Sequence, residues 1–414
     1  MRTLFIIVKK VREKGLLGSC SAIRGKIINV PKKILMYKKL KKLIENYELL
    51  LMQKRLNINE IRMKTLNYIE NMRVSHTSYG QYRYSASQRK PVLYASLYAV
   101  LTRHLYRDLD NLTDKQKKDW IDYIQSFQAD DGLFKDPSVE NGIASSSDWW
   151  GWRHLTIHAL MSLTALNSVA RKKFEIIQPF KNVDFTIKWL ESRDWEIDPA
   201  ATSNEVQNYF TMLQYARDFQ SEDWAYKILN VAFEWLNERQ DPKTGLWGKR
   251  FDTPITLSHG VQTGYHIWLL YFYDKKPLQY VERIIDSCLA TQNKLGGFGV
   301  AINSSACEDI DTIDPLVRLS FINNYRKEDV ISSLQKAIPW ILTNMNEDGG
   351  FVFRRMEPFT YGHQLMFSSK DESAMFPTWF RTLSLSYLAK VLPDSFLGKF
   401  DWQFVNCPGL QFWK

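Results

Sequence analysis

Four stretches of the chain share one pattern, in which polar residues lead through glycine to an aromatic residue. They read FQADDGLF (127–134), RQDPKTGLWG (239–248), TQNKLGGFG (291–299) and NMNEDGGFVF (344–353). Their glycines, Gly132, Gly245, Gly297 and Gly350, are separated by 113, 52 and 53 residues. The first separation is close to two of the shorter periods. Such a spacing indicates a repeated supersecondary unit.

Each phrase follows one helix-like segment and precedes a second, more apolar one. The first set of segments is 60–74, 114–128, 182–193, 222–239, 278–292 and 329–345. The second set is 90–106, 149–166, 204–219, 259–273, 311–323 and 377–391. Apolar residues recur at helical spacing in both sets, and no alternating strand pattern intervenes. Since helices that are apolar on most sides are buried, the sequence predicts an all-α fold: an (α/α)6 toroid of six inner and six outer helices.

The charge of the chain is concentrated near its N-terminus. Of 55 basic and 45 acidic residues, 13 basic and one acidic residue, Glu13, fall within 1–42, so the rest is nearly neutral. Lysines and arginines beside short apolar runs such as Leu4–Val8 are attracted to anionic lipid headgroups. We therefore expect 1–58 to be a basic, amphipathic helical arm in contact with an anionic membrane surface, 59–400 to form the toroid, and 401–414 to be a C-terminal tail. A solvated tail or a nucleic-acid-binding arm are the alternatives, although no basic face of the body supports nucleic acid.

The overall composition favours a globular, cytoplasmic protein that associates peripherally with a membrane. Apolar residues make up 45% of the chain and charged residues 24%. No apolar run approaches the roughly 18 residues of a membrane-spanning helix. The four cysteines, Cys20, Cys288, Cys307 and Cys407, are far apart and form no CxxC motif, which is typical of a reducing compartment.

The turn phrases resemble the QW-type repeats of squalene and oxidosqualene cyclases, and the related repeats of protein prenyltransferase β subunits, over roughly 60–400. The sharpest local match is CEDIDTIDPLVRL (307–319), whose Asp309-Ile310-Asp311-Thr312 is similar to the DxDT-type motif of class II terpene cyclases. The resemblance implies that Asp311 is a catalytic proton donor and Asp309 its partner. It implies protonation-initiated cyclisation of a polyprenyl or prenyl-diphosphate substrate. No cofactor is required, apart from Mg²⁺ if the substrate is a diphosphate.

This chemistry needs a neutral carboxylic acid, because an alkene is a weak base. Burial raises the pKa of a carboxyl group, and further carboxylates at Glu308, Asp309 and Asp314 would raise that of Asp311. A helix N-terminus acts in the opposite direction by stabilising the anion. The alternative interpretation is structural: Asp309 or Asp311 would cap an apolar helix over 313–323.

Residues near the other predicted inner-helix starts are candidates for binding substrate, because parallel inner helices bring their first turns to one mouth. These candidates are Asp148, Trp149, Trp152, Arg153, His259, Gln262, Tyr265, His266, Arg354, Tyr361, His363, Trp379 and Arg381. Aromatic rings would stabilise a carbocation, and arginines would bind a diphosphate or carboxylate. The alternative for each tryptophan and histidine is ordinary core packing.

Three other functions remain open at this point. A carbohydrate-active toroid enzyme (a lyase, hydrolase or epimerase) would use His259, His266, Arg354, Tyr361 and His363 for proton transfer beside a uronate carboxylate. A non-catalytic, membrane-attached scaffold would bind a lipid-linked or glycan ligand instead.

A zinc-dependent, prenyltransferase-like protein is a lesser alternative. It would use Cys307, Asp309 and His363 as ligands. The order Cys-x-Asp found here is the reverse of that family's order.

Overall fold

The computed structural model describes residues 33–75, 77–142, 151–248 and 251–414. The more apolar segments form α3 (Leu93–Leu105), α5 (Trp152–Ala165), α7 (Pro199–Phe219), α9 (Pro254–Asp274), α11 (Ala306–Ile322) and α13 (Met375–Val391). The helices that precede them are α2 (Ile58–Met72), α4 (Asp114–Gln125), α6 (Val183–Glu191), α8 (Trp224–Arg239), α10 (Val281–Leu289) and α12 (Lys327–Thr343). Residues 33–52 form α1. The prediction of an all-α chain is confirmed.

Short elements complete the described chain. The two-residue strands β1 (Phe359–Thr360) and β2 (Phe367–Ser368) pair antiparallel, with Phe359 opposite Ser368. Single 3₁₀ turns cover Leu109–Asn111, Pro137–Gly142, Glu175–Lys181 and Gln364–Met366. The β1–β2 hairpin lies in the loop before α13 and carries Tyr361 towards α5.

The odd-numbered helices from α3 to α13 form the centre of the molecule. Each contacts the next in sequence order, and α13 contacts α3, so the contacts form a closed cycle. These helices are buried on most sides: in α13 the buried residues run without interruption from Met375 to Ala389. In α4, by contrast, only Trp120, Ile124 and Gln125 are buried. This difference follows from the apolar bias of alternate segments.

The repeated turn phrases tie successive repeats together. The amide of Gln128 donates to Gly132 O (3.0 Å) within its own turn and to Lys172 O (3.1 Å) in the next repeat. Gln292 does the same with Gly296 O (2.9 Å) and Ser333 O (2.8 Å). In both turns the glutamine therefore links the turn to the next repeat, whereas Met345 occupies this position in the last turn phrase.

The last turn contacts the first repeat. Gly349 has φ +90°, and a Cβ atom there would lie 2.2 Å from the backbone carbonyl of Lys64 in α2. The hydroxyl of Thr65 donates to Gly349 O at 2.9 Å. Only glycine fits this left-handed position without displacing α2. Gly132 and Gly245 also have positive φ. Their equivalents in the last two turn phrases are therefore Gly296 and Gly349, each one residue before the glycine used for the sequence spacing.

Helix α1 and the C-terminal tail pack against this body. In α1, Leu40 is fully buried and Ile44 is 5% exposed. The C-terminal tail lies near the end at which the central helices finish: Gln411 donates to Leu101 O (3.0 Å), and Arg318 donates to Phe412 O (2.6 Å). The predictions for 1–32, including the apolar run 4–8, lie outside the described residues. None of the described helices is long and apolar enough to cross a membrane.

Candidate functional site

The helix that carries the acidic motif begins earlier than the sequence suggested. Ser305 caps α11 by accepting from Glu308 N at 3.2 Å, while the Glu308 carboxylate accepts from Ser305 N at 2.7 Å. This reciprocal capping box starts the helix at Ala306. Asp309 and Asp311 therefore lie inside the helix, and the expectation that one of them caps a helix over 313–323 is wrong.

Asp309 is held in a complete set of hydrogen bonds. Its Oδ1 accepts from Phe298 N (2.9 Å) and from the Ser304 hydroxyl (3.0 Å). Its Oδ2 accepts from Trp340 Nε1 (2.8 Å) and from Arg381 Nη1 (2.7 Å). Arg381 is fully buried, so this is a buried ion pair that joins α11 to α13.

The same position has a structural role in other repeats. In each, the N–H of the turn's aromatic residue donates to a side chain in the first turns of the following central helix. These bonds are Tyr82 N to Ser96 (3.1 Å), Phe134 N to Thr156 (2.9 Å) and Phe351 N to Thr378 (2.9 Å). Asp309 is the equivalent acceptor for Phe298. Its position in the repeat accounts for one of its four hydrogen bonds, and the bonds from Ser304, Trp340 and Arg381 are additional.

Asp311 has a different environment, although it is only two residues away. It is 4% exposed, and its carboxyl group makes no hydrogen bond to any residue that the structure describes. Burial, followed by the charges of Glu308, Asp309 and Asp314, raises the pKa of Asp311 well above its usual value. These surroundings favour the protonated, neutral form of the carboxyl group.

Two polar groups near Asp311 also lack partners within the described part of the chain. Asp314, fully buried, accepts from Arg318 through Oδ1, while its Oδ2 has none. Burial raises the pKa of Asp314 to about 6. The buried hydroxyl of Tyr265 in α9 is likewise unpaired, and the charges of Asp314 and Asp311 contribute to its raised pKa. Buried polar atoms without a protein partner are candidates to bind water or a polar group of a ligand.

A chain of histidine and tyrosine side chains lies between α3, α5 and the β1–β2 hairpin. His154 Nδ1 is 2.9 Å from the Tyr94 hydroxyl, and its Nε2 is 3.4 Å from the Tyr361 hydroxyl. The rings of His154 and His158 have centroids 4.4 Å apart. Burial lowers the pKa of His154 well below its usual value and that of His158 to about 4. Both imidazoles are therefore neutral at pH 7.

Aromatic side chains of α13 pack against these histidine and tyrosine residues. Tyr361 stacks on Phe376 with centroids 4.1 Å apart, and Trp379 stacks on Tyr98 at 5.2 Å. The pKa of Tyr361 is raised by burial, with smaller contributions from the charges of Cys307 and Asp311. The aromatic residues and the acid therefore share one region of the interior.

Several of the other predicted binding residues lie beside these groups but have partners of their own. Besides burial, the charge of His266 contributes to the lowered pKa of His154, and that of Glu308 to the raised pKa of Asp311. Arg153 pairs with Glu205 at 3.7 Å, and Arg354 pairs with Glu308 at 2.8 Å. His266 Nδ1 is 3.1 Å from the Ser203 hydroxyl, and burial lowers the pKa of His266 to about 3.

The remaining candidates occupy the rim or fall outside the described residues. His259 is exposed and lines a cleft with Asp198 and Phe251. Gln262 donates to Ser258 O at 3.2 Å, within its own helix. Trp152 is half-buried at the first residue of α5. Asp148 and Trp149 lie outside the described residues.

The structure does not assemble the alternative zinc site. Within the described ranges, no group of three His, Cys, Asp or Glu side chains is placed to hold a metal ion. Both oxygens of Asp309 are committed to the bonds above. His363 lies in the loop before α13, where its Nδ1 accepts from Leu365 N at 3.1 Å. Asp309 therefore has no free oxygen with which to bind a metal ion together with Cys307 and His363.

The site also contains residues that the sequence alone did not mark. They are Tyr94, Tyr98, His154, His158 and Phe376. Each lies in a strongly apolar helix, where a tyrosine or histidine passes for a core residue. The only available signal was the spacing of four residues between Tyr94 and Tyr98 and between His154 and His158, which places each pair on one helix face.

Comparison with models of protein families finds no match to this chain, and neither does comparison with curated protein sequences.

Proposed function

We propose that this chain is a class II terpene cyclase-like enzyme, in which Asp311 protonates an alkene of an isoprenoid and so starts cyclisation. The observation that carries the proposal is the state of Asp311: it is buried, it has a raised pKa, and it lacks a hydrogen-bond partner among the described residues. A carboxyl group that is held neutral and unpaired can transfer its proton to a very weak base.

We further propose that the helices form an (α/α)6 toroid. The closed cycle of contacts from α3 through α13 and back to α3 supports an inner ring. The contact of Gly349 with Lys64 supports closure of the outer layer, because it joins the last repeat to the first. In this arrangement the central helices all begin at one end, and Asp311 lies in the second turn of α11.

The reaction needs one proton added and one proton lost. The proton passes from Asp311 to the terminal alkene carbon, and the resulting tertiary cation is attacked by the next alkene of the same molecule. Tyr361, whose raised pKa reflects burial and in part the charge of Asp311, stacks on Phe376, and Trp379 stacks on Tyr98. Aromatic faces stabilise such a cation by roughly 0.5–2 kcal/mol per ring. Loss of a proton at another carbon then ends the sequence, so the product is an isomer of the substrate.

In this proposal Asp309 is a positioning residue rather than a second acid. Its four hydrogen bonds fix the first turns of α11 against Trp340 and Arg381. Its negative charge also raises the pKa of Asp311. Asp309 therefore acts on the proton donor through geometry and charge.

A specific observation favours a second candidate, a carbohydrate-active enzyme. The neutral His154 lies between the hydroxyls of Tyr94 and Tyr361, at 2.9 and 3.4 Å. A neutral imidazole beside a tyrosine can remove a proton next to a uronate carboxylate. This candidate predicts that His154, and not Asp311, is required for turnover.

One pair of variants separates the two candidates. The full chain is incubated in D₂O with farnesyl, geranylgeranyl and longer prenyl diphosphates, and separately with polyuronates. Under the proposal, a cyclic isomer forms and carries one solvent deuterium, while Asp311→Asn forms none and the matched surface variant Asp329→Asn is unaffected. Unsaturated uronate products that are lost in His154→Gln and kept in Asp311→Asn would overturn the proposal in favour of the second candidate.

We also propose that the enzyme works in the cytoplasm, in peripheral contact with a membrane. The concentration of basic residues within 1–42 supports this placement. An isoprenoid substrate would be available there, because its apolar chain partitions into the bilayer.

A further inference from the structure

Helix α1 presents apolar and basic residues to solvent on the side opposite to the one that it buries. Leu40 and Ile44 pack against the body. On the other side, Leu35 is 55% exposed and Leu49 is 50% exposed. Lys38 and Lys42 are exposed between them. At 100° per residue these four side chains lie within about 60° of one another on the helix surface. We call Leu35, Lys38, Lys42 and Leu49 the outer face of α1.

Lysines of the body flank this helix. A cleft on one side of α1 is lined by Lys41 together with Lys294 and Lys336. The cleft on the other side is lined by Lys39 and Lys370. Acidic residues are also present there, namely Glu45, Glu48, Glu347 and Asp371. Lys38 and Lys42 give the outer face a positive charge, while the exposed Glu45 at its edge pairs with Lys41 at 3.6 Å.

We infer that the outer face of α1, together with Lys294 and Lys336, is a surface that contacts an anionic lipid bilayer. Exposed leucines that alternate with lysines fit the interface of a bilayer, where the apolar side chain enters the acyl region and the ammonium group meets the headgroup phosphates. Nucleic acid would use the lysines but offers no apolar layer for Leu35 and Leu49. This inference does not rest on the chemistry at Asp311.

The placement of α1 also orients the body. Its two clefts are lined by Asn293 and Leu295 of one turn phrase and by Met345 and Asn346 of another. These turns lead into α11 and α13, so α1 lies near the end at which those helices begin. A bilayer bound by α1 is therefore next to the end at which α11 and α13 begin. Only the entry of a lipid-dissolved substrate at this end rests on the proposed function.

The test uses the full chain and vesicles of phosphatidylcholine with phosphatidylserine, at low salt. Each basic residue near such a surface changes the partition coefficient roughly fivefold. We expect Lys38→Glu/Lys42→Glu to bind at least about 25-fold more weakly than the unchanged protein. The control, Lys227→Glu/Lys327→Glu, makes the same charge change at exposed lysines in the first turns of α8 and α12, at the opposite end of the molecule. We expect it to bind within about twofold of the unchanged protein.

Two further variants test the apolar part and the orientation. Leu35→Ser/Leu49→Ser should reduce vesicle binding by at least about fivefold, since it removes two side chains that enter the acyl region. Lys294→Glu/Lys336→Glu should also reduce it more than the control. Equal binding by the control and by Lys38→Glu/Lys42→Glu would overturn the inference. Unchanged vesicle binding by the serine pair, with oligonucleotide binding lost in the α1 lysine pair, would assign the face to nucleic acid instead. No effect at Lys294 and Lys336 would overturn the orientation.

Discussion

Asp309→Ala tests whether the ion pair with Arg381 organises the site. The change leaves the Arg381 guanidinium buried at 0% exposure without its carboxylate partner. Breaking a buried pair from one side costs about 3–5 kcal/mol. The backbone N–H of Phe298 and the indole N–H of Trp340 lose their acceptor as well. Each donor that stays buried without a partner costs about 1–3 kcal/mol. We therefore expect a loss of at least about 4 kcal/mol, or a Tm about 5 °C lower for a cooperative unit of this length.

The measurement is urea or thermal unfolding of the full chain, with a control at the equivalent position of another repeat. Ser96→Ala removes a single neutral acceptor, that of Tyr82 N, and should cost about 1–2 kcal/mol. The double variant Asp309→Thr/Arg381→Met keeps an acceptor for Phe298 and removes both charges. It should cost at least about 2 kcal/mol less than the sum of the single changes. Equal losses in Asp309→Ala and Ser96→Ala would refute this account of the ion pair.

Two other predictions concern the histidine pair and the C-terminal tail. His158 stays neutral in the folded protein because burial lowers its pKa to about 4. In the unfolded chain the same imidazole takes up a proton below about pH 6.5. The free energy of unfolding therefore decreases as the pH falls from about 6.5 towards 4. His158→Gln should therefore lose about 3 kcal/mol less between pH 6.5 and 4 than the unchanged protein does, and parallel urea curves at the two pH values would contradict this. Deleting 407–414 should lower the free energy of unfolding by at least about 3 kcal/mol. Arg318 then loses Phe412 O as an acceptor, and Trp379 loses the side chain of Gln411. Deleting Lys414 alone, the control, should change the unfolding midpoint little.

The helical layout was predictable because its signals are local. Apolar residues at helical spacing marked each segment, and the glycine-aromatic turns marked where one segment ended and the next began. The start of α11 was misplaced because the acidic stretch at Asp309 and Asp311 was interpreted as a helix cap. The true cap, Ser305 with Glu308, lies upstream and has the ordinary capping-box spacing. This capping box is present in the sequence, and it predicts a helix that starts at Ala306.

The site was predictable only in part, because its properties come from contacts between distant segments. Asp309 meets Arg381 across 72 residues, and Tyr361 meets His154 across 207. No spacing rule connects such residues. The difference between Asp309 and Asp311 also could not be deduced from the motif, since it depends on which carboxyl group meets Arg381 and which faces other acids.

If Asp311 is a neutral acid in the folded protein, this residue makes the free energy of unfolding depend on pH. The pKa of Asp311 is raised by burial and by neighbouring acids. Above the unfolded value of about 3.8 the native state therefore holds a proton that the unfolded state has lost, and stability falls with rising pH by up to about 1.4 kcal/mol per pH unit. Asp311→Asn has no such proton to lose.

The measurement is the difference in unfolding free energy between Asp311→Asn and the unchanged protein, from urea curves between pH 4 and pH 7. The account predicts that the variant gains stability relative to the unchanged protein as pH rises, and that it is the more stable of the two at pH 7. A variant whose stability relative to the unchanged protein stays constant or falls from pH 4 to pH 7 would show that Asp311 is already ionised in the folded protein at pH 4, because a carboxyl group with an ordinary or lowered pKa changes stability only near and below about pH 4. That result would contradict its role as the proton donor.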